Sequence, residues 1–394
     1  MTTASVLDEA FVGEAPRASI PPVSLTVEVA RTHGVRKLRQ IREMLRLRFG
    51  PGRLHLCEYY EAGLFDPSMS LVDKLAYVGA QGSRSLNAEL SPDELLTMRS
   101  LVADKVMCSS LLRQFGFAAT ETQAVVTAGR RFGSIPKLSS VEELRRFLKG
   151  KARYPLFCKP QLTCDSRMIV LLERLDGEIL EFADGRKVPL EEFCALVLDN
   201  SADGVVFQSA LRQHSDIEAI SGRAVGSVRV VTIRKADMPE PLYAVWKIPA
   251  PGNMSDDFRH EGSIVAPVDT ATGHVGRASA GVGLAARGID THPVTGRKIA
   301  GFQLPFWEDL RRMAENAHAL FPEYGLLGWD IAVTENGPVI IECRDNPLHS
   351  IYQRAFGRGI RNDDFLPVFE RVAAWSQMKL AHQKVRERKR RDEQ

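Results

Sequence analysis

The chain has few cysteines, and those it has are not arranged in pairs. Its 394 residues contain six cysteines, and none of them forms a Cys-x-x-Cys pair with histidine partners. This scatter gives no indication of a zinc site or a disulfide framework. It favours buried or half-buried free thiols of a cytosolic protein. The six are Cys57, Cys108, Cys158, Cys164, Cys194 and Cys343.

The chain also lacks a long apolar run and a strong excess of charge of either sign. No stretch approaches the ~20 apolar residues that a membrane-spanning helix needs. The first thirty residues show no charged segment followed by an apolar core, as a signal peptide would. The net charge of +3 is too small to indicate nucleic acid. These absences predict a cytoplasmic protein with neither a membrane nor a nucleic-acid partner.

The order of the elements that are present predicts an α+β fold. A loose leader covers residues 1–24, and a helical pattern follows over residues 25–101. Beyond it, apolar strands mix with helices, which favours layers of sheet and helix over a bundle or a sandwich. An apolar strand ends near residue 210, so we predict two lobes, 102–211 and 212–378, followed by a charged tail, 379–394.

Two acidic residues stand out in a predicted hairpin that is otherwise aliphatic. The hairpin runs from Trp329 to Glu342, and a three-residue loop at residues 335–337 would place Gly337 in the left-handed conformation. Asp330 would then lie directly across from Glu342. The same register pairs Ile331 with Ile341 and Val333 with Val339 on the other face.

Two like charges at facing positions destabilise a hairpin unless a cation lies between them. Mg²⁺ is usually held by one or two carboxylates together with substrate phosphates, so Asp330 and Glu342 indicate a site for a magnesium–nucleotide complex. Two carboxylates at the solvated end of an ordinary hairpin explain the pattern equally well, and the pair alone leaves both explanations open.

Three basic residues lie in unusually apolar strands. Lys159 ends an apolar strand before Pro160, Arg229 shares a strand face with aliphatic residues, and Lys247 follows Val245 on its face. Buried cations are rare unless they are paired. Phosphate groups are one natural partner, and an internal salt bridge or a side chain reaching for solvent is the other explanation. The three cations together with the carboxylate pair favour phosphate.

In this order, the pieces resemble the ATP-grasp superfamily, and within it the sugar-transfer-associated branch that is similar to α-L-glutamate ligases. The resemblance covers about residues 55–375 and implies two α+β lobes that clamp ATP, preceded by a helical region. It is carried by residues 59–65, 103–105, 157–160, 206–209, 226–232, 328–332 and 341–342.

The resemblance implies roles for individual residues. Lys105 and Lys159 would contact the α- and β-phosphates of ATP, and Asp330 and Glu342 would hold Mg²⁺, with Asn346 as a further ligand. Arg229 would hold the γ-phosphate or an acyl phosphate. The remaining expected nucleotide contacts are the hinge residues Gln208, Ser209, Ala210 and Leu211, a ribose contact from Asp216, and Lys247.

The sequence departs from the family pattern at two places. Residues 161–168 contain no glycine where the family has a glycine-rich loop over the phosphates. Arg344 stands where the family has an asparagine two residues after the metal-binding Glu342, and an arginine cannot be a metal ligand. We therefore expect Arg344 to act on phosphate charge, with Asn346 or Asp345 completing the metal shell. His260 lies in a loop near the expected reacting centre and is more typical of a surface residue.

These features predict an ATP-dependent carboxylate–amine ligase that forms an amide or peptide-like bond on a small molecule through an acyl phosphate. ATP and Mg²⁺ are the expected cofactors, and a carboxylate and an amine are the expected substrates. Two other functions stay open: an ATP-grasp protein that binds nucleotide with impaired catalysis, and a phosphotransferase that acts on a sugar-like acceptor.

Overall fold

The computed structural model describes residues 22–162, 169–235, 237–250, 254, 256, 258 and 262–392. The expected phosphate loop at residues 163–168 and the loop residue His260 lie outside the described residues, as does most of the predicted leader. Both helices and sheets are present, and the predicted α+β class is confirmed.

A group of short helices precedes the first sheet. Leu47, Tyr59 and Tyr60 are fully buried in a small core of their own there. Glu43 ties three of the helices together, because its carboxylate accepts hydrogen bonds from Tyr59 Oη and from Lys74 Nζ, both at 2.8 Å. The helices are α1 (Pro22–Thr32), α2 (Lys37–Phe49), α3 (Leu56–Glu61), α4 (Leu71–Leu75), α5 (Ala80–Leu90) and α6 (Arg99–Ala103).

Helix α7 (Lys105–Gln114) leads into the first sheet. The Asp104 side chain begins it, accepting hydrogen bonds from the backbone amides of Val106 and Met107, the usual role of an aspartate at a helix N-terminus. Two helices, α8 (Val141–Gly150) and α9 (Leu190–Asp199), share a core with this sheet. Its strands are β1 (Thr122–Val126), β2 (Lys137–Leu138), β3 (Leu156–Pro160), β4 (Val170–Asp176), β5 (Ile179–Phe182), β6 (Lys187–Pro189) and β7 (Val205–Ser209), ordered β2-β1-β7-β3-β4-β5-β6.

Helix α10 (Ser215–Ser221) connects the first sheet to the second. The second sheet is covered on both faces, by α11 (Trp307–Ala319) on one and by α12 (Ser350–Phe356) and α13 (Leu366–Asp392) on the other. Because both faces are buried, its central strands read as nearly continuous apolar runs. The strands are β8 (Ser227–Ile233), β9 (Glu240–Ile248), β10 (Ile264–Val268), β11 (Ala278–Ala280), β12 (Arg287–Ile289), β13 (Leu326–Thr334) and β14 (Gly337–Arg344), ordered β12-β11-β10-β9-β8-β13-β14.

The longest helix contains the charged residues near the end of the chain. Residues from 379 onward, which were expected as a charged tail, belong to α13, and this helix continues to Asp392. The chain leaves the first sheet at Ser209 and enters the second at Ser227. The exact lobe bounds remain a prediction. Among the described residues, no helix is both long and apolar enough to cross a membrane.

Candidate active site

The hairpin β13–β14 places Asp330 directly opposite Glu342, which confirms this pairing. The rest of the predicted register is wrong. The loop has two residues instead of three, because Thr334 pairs with Gly337, and Ile331 pairs with Ile340. An irregularity next to Asp330 leaves Ile341 as an extra residue and restores the Asp330–Glu342 pair. Gly337 has a positive φ of 104°, as expected from the sequence.

Asp330 is the most strongly paired carboxylate of the hairpin. Both of its oxygens accept hydrogen bonds from Arg229, at 2.6 Å from Nε and 2.7 Å from the terminal nitrogen. Lys247 Nζ lies 3.2 Å from one oxygen of Asp330, and Arg344 Nε lies 3.6 Å from the other. Burial opposes ionisation of Asp330, but the Arg229, Lys247 and Arg344 charges outweigh it and hold its pKa below the ordinary value. The Arg229–Asp330 pair is buried on both sides.

Glu342 is paired with different cations. Arg344 lies 2.7 Å from Oε2, and Lys105 Nζ lies 3.4 Å from Oε1. Lys105 also donates a hydrogen bond to the backbone oxygen of Gln161 at 3.2 Å. Burial raises the pKa of Glu342, but Arg344, Lys105 and Lys159 lower it further, so the net shift is downward. Arg344 therefore lies within 4 Å of both hairpin carboxylates.

Lys159 is buried at the end of β3, as the sequence indicated. Within the described part of the chain it forms no ion pair shorter than 4 Å, and its Nζ lies 5.7 Å from the centre of the Phe157 ring. Burial lowers the pKa of Lys159 to about 8; Glu342 opposes the shift, while Lys105 and Arg344 add to it. A cation in this state gains from an anionic ligand.

These residues line a cavity of about 590 Å³, within the usual size range of small-molecule sites. Among the described residues, seven lining cations face four carboxylates, an excess of three positive charges. The cations are Arg84, Arg99, Lys105, Lys159, Arg229, Lys247 and Arg344, and the carboxylates are Asp256, Asp330, Glu342 and Asp345. An excess of this sign concentrates anions at the cavity.

The expected hinge residues line the same cavity. Two hydrogen bonds fix the Gln208 side chain: its Nε2 donates to Thr120 Oγ1 at 3.1 Å and to Thr122 Oγ1 at 3.3 Å. The Ser209 hydroxyl donates to Glu121 at 3.0 Å. Ala210 and Leu211 follow β7 and bring backbone groups and aliphatic side chains to the cavity.

Two expected contacts are arranged differently from the others. Asp216 lies on the exposed first turn of α10 and does not line the cavity, so the expected ribose contact has no support from its position. Asn346 does line the cavity, but its Oδ1 accepts a 2.6 Å hydrogen bond from Asn87 on α5. A metal would have to compete with Asn87 for this oxygen.

The sequence prediction missed three charged lining residues. Arg84 and Arg99 come from the helical region, in which no individual side chain had been assigned a contact. Asp256 lies in a segment that had been placed near the reacting centre, but the residue itself had not been assigned a contact. Its carboxylate forms an ion pair with Lys247 at 2.9 Å and accepts hydrogen bonds from the amide and hydroxyl of Ser227. A lone charged residue in a mixed helix or loop carries no periodic signal.

Asp330 and Glu342 fit a magnesium ion that is shared with phosphates, but they do not form a complete protein site for a metal. Two carboxylates at facing positions match the protein contribution that Mg²⁺ usually takes in nucleotide sites. Within the described ranges, no group of three or more acidic, histidine or cysteine side chains is placed to hold a metal. Basic groups contact both carboxylates, so polyphosphate would have to draw those cations away before the oxygens could bind Mg²⁺.

The sequence matches the sugar-transfer associated ATP-grasp family over residues 91–366, well over half of the chain. The chain belongs to this family. The predicted resemblance to the ATP-grasp superfamily is thereby confirmed, and the two sheets with the cavity between them are the two lobes of an ATP-grasp fold. No curated protein sequence matches the chain.

Solved structures give more distant likenesses. The D-alanine–D-alanine ligase from Coxiella burnetii has 10% identity and a TM-score of 0.39, with 74% of this chain and 62% of that chain covered. VanG D-Ala:D-Ser ligase from Enterococcus faecalis has 11% identity and a TM-score of 0.40, with 70% and 62% covered. D-cycloserine synthetase DcsG has 14% identity and a TM-score of 0.38, with 73% of each chain covered. This chain thus spans about three fifths of the two ligases, and its family rests on the sequence match.

Proposed function

We propose that this ATP-grasp protein is an ATP-dependent carboxylate–amine ligase that forms an amide or peptide-like bond on a small molecule. The observation that carries the proposal is the facing pair Asp330 and Glu342 at the floor of a cation-rich cavity, in a chain of this family. The pair offers the carboxylates that Mg²⁺ takes beside phosphates, and the excess positive charge attracts a polyphosphate.

The positions of the cations support a division of roles. Lys105 and Lys159 come from the first sheet and the helix before it and approach Glu342, so they would bind the α- and β-phosphates. Arg229 and Lys247 approach Asp330 from strands of the second sheet and would hold the γ-phosphate. Charge-assisted bonds to phosphate offset the cost of keeping these cations buried.

The adenine would lie at the hinge. Strand β14 connects the hinge to the carboxylate pair. The backbone amide of Thr120, which lies next to Gln208, donates a hydrogen bond to the backbone oxygen of Ile340, two residues before Glu342. At roughly 3.3 Å per residue, the hinge and the carboxylate pair are neighbouring sections of one groove. Asp345 and Asn346, which follow the strand, continue the groove toward the helical region.

The chemistry then requires little covalent participation from the protein. A substrate carboxylate oxygen attacks the γ-phosphorus, the bond to the β-phosphate oxygen breaks, and ADP leaves with that electron pair. The amine attacks the carbonyl carbon of the acyl phosphate, and inorganic phosphate leaves while the amine loses a proton. When bound, Mg²⁺ neutralises phosphate charge, and Lys159, Arg229 and Arg344 position and neutralise the oxygens around the transferred group.

One observation favours a second function, nucleotide binding without ligation. Arg344 lies 2.7 Å from Glu342 and 3.6 Å from Asp330, where its charge competes with a metal ion for both carboxylates. If phosphate does not draw this guanidinium away, the site binds nucleotide through its cations and releases no ADP.

Trapping the acyl phosphate tests the proposal. The protein is incubated with ATP, Mg²⁺, hydroxylamine and a panel of amino acids and sugar acids, and hydroxamates and ADP are measured. We expect hydroxamate from at least one acid, with an equal amount of ADP and with loss of both in Lys159→Met.

Arg287→Met, which removes a cation on strand β12 away from the cavity lining, is the matched control. Binding of ATP without ADP release for every acid would overturn the ligase and favour nucleotide binding. A stable phosphorylated product that needs no amine would instead indicate phosphotransfer.

A further inference from the structure

Helix α2 exposes a continuous apolar stripe on the side that faces away from its core. The stripe consists of Leu38, Ile41, Leu45 and Phe49. These spacings of three and four residues place all four side chains on one face of a helix. Leu38 is 81% and Phe49 is 84% exposed. On the neighbouring helix α1, Val23 and Val27 are also exposed.

The stripe is separate from the face by which α2 packs on the protein. Met44 and Leu47 are buried in the small helical core, and Gln40 and Glu43 are buried beside them. Packing of α2 therefore needs none of the four stripe residues. Four large apolar side chains in a row on an exposed helix face are more than the scattered exposure that ordinary surfaces show, and such patches mark interaction sites.

Basic residues flank the stripe on both sides. At 100° per residue, Arg39, Arg42 and Arg46 follow one edge of the stripe, while Lys37 and Arg48 follow the other. The acidic residue of the helix, Glu43, points inward and is paired with Arg39 and Lys74. The exposed surface of α2 thus combines an apolar centre with positive edges.

We infer that α2 is a docking surface for an anionic phospholipid membrane, with its axis parallel to the membrane plane. A helix with an apolar face and basic flanks is the pattern that binds in the interface of anionic bilayers. Each basic residue near such a surface adds about 1 kcal/mol of attraction. The sequence-based expectation of no membrane partner rests on the absence of a spanning run, which a surface-bound helix does not need.

The charges disfavour a second copy of this chain as the occupant. A symmetric dimer through α2 would bring the same stripe and the same arginine edges together. Like charges at facing positions would then oppose association. An anionic lipid surface instead complements both the apolar centre and the positive edges.

Flotation of the full chain with lipid vesicles tests the inference. Vesicles of phosphatidylcholine alone are compared with vesicles that also contain phosphatidylglycerol, at low and high salt. We expect binding to the anionic vesicles only, and weaker binding at high salt because the attraction is screened. Leu38→Ser/Phe49→Ser should weaken binding about tenfold or more, and Arg42→Glu/Arg46→Glu at least about fivefold per residue.

Val294→Ser and Arg287→Glu are the matched controls, because both residues are exposed and lie outside the helical region. Both should bind vesicles as the wild type does, and melting temperatures show that each variant is folded. Absence of wild-type binding to anionic vesicles overturns the inference. An equal loss of vesicle binding in the control variants also overturns it. The same holds if the wild type sediments as a dimer that Leu45→Glu dissociates while vesicle binding is unchanged.

Discussion

Asp330→Asn is the sharpest perturbation of the cavity, because it removes one charge and almost no volume. Asp330 is 3% exposed and accepts both hydrogen bonds from Arg229, which is 5% exposed. Lys247 Nζ lies 3.2 Å from the same carboxylate. The substitution would remove the carboxylate charge that lies beside both of these buried cations.

The size of the effect follows from burial. Removal of one partner from a buried ion pair costs about 3–5 kcal/mol, since an uncompensated charge stays in the interior. Asp256 pairs with Lys247 at 2.9 Å and keeps part of that compensation. Arg229 lies nearest to Asp330, so it carries most of the loss. We expect Asp330→Asn to lower the free energy of unfolding by about 3 kcal/mol or slightly more.

Urea denaturation of the wild type and the variant measures this free energy, and Asp364→Asn is the control. Asp364 pairs with Arg358 in the same charge combination, but both side chains are about half or more exposed, and exposed pairs contribute only about 0–1 kcal/mol. Tripolyphosphate without metal should stabilise Asp330→Asn more than the wild type, because its oxygens replace the lost carboxylate beside Arg229 and Lys247.

A loss below about 1 kcal/mol would refute the reasoning that Asp330 neutralises these buried cations. Equal stabilisation of both proteins by tripolyphosphate would refute the idea that the same cations bind phosphate. If Asp330→Asn bound ATP with the full magnesium effect of the wild type in calorimetry, Asp330 would not be a metal ligand.

Three further predictions concern single residues of the site and the fold. Arg344→Ala should weaken metal-free ATP binding by about 1.5–3 kcal/mol, since a charged hydrogen-bond donor is lost. It should also increase the gain in ATP affinity that Mg²⁺ produces in calorimetry. An unchanged gain would contradict competition between Arg344 and the metal. Burial lowers the pKa of Lys159 to about 8, and the protonated form binds phosphate, so ATP affinity should fall as the pH rises through about 8. Lys159→Arg should remove this pH dependence. If the pH dependence persists in the variant, another group causes it. Gly325→Ala should lower the free energy of unfolding by about 1–3 kcal/mol, because a methyl group there would lie 2.1 Å from the backbone oxygen of Leu90. If the variant unfolds at the same urea concentration as the wild type, the backbone can move aside.

Much of the element order could be predicted from the sequence. The apolar strand before Pro160, the strand that ends near residue 210 and the hairpin at Asp330 are all present. They are long or strongly apolar segments with clear ends, for which periodicity is informative. The strands β1, β2, β5, β6, β10, β11 and β12 were missed, since runs of two to five residues carry little periodic pattern.

In the hairpin, one residue pair was predicted correctly although the predicted loop length and the rest of the register were wrong. A three-residue loop predicted Asp330 opposite Glu342, and the pairing is confirmed. In the structure, the shorter loop alone would have moved Asp330 opposite Ile341, and the extra residue in β14 moves it back. Hydrophobic alternation indicates the face of each residue but not the position of a bulge.

The helical region was the least predictable part of the site. Arg84 and Arg99 line the cavity. Asn87 donates a hydrogen bond to Asn346, which lies 259 residues later in the chain. A helical pattern was predicted over residues 25–101, but the spacing of apolar residues does not tell which face of a helix is buried, so the exposed stripe on α2 was not predicted.

The sequence by itself determined the family, the α+β class and the presence of charged residues inside apolar strands. Those features follow from local order and composition, which the chain carries residue by residue. The tertiary structure alone decided which charges meet. Arg229 and Asp330 are 101 residues apart in the chain and form the shortest ion pair among the described residues that line the cavity. It also placed Arg344, a neighbour of Glu342 in sequence, against both carboxylates, because strand pairing and burial set the distances between side chains.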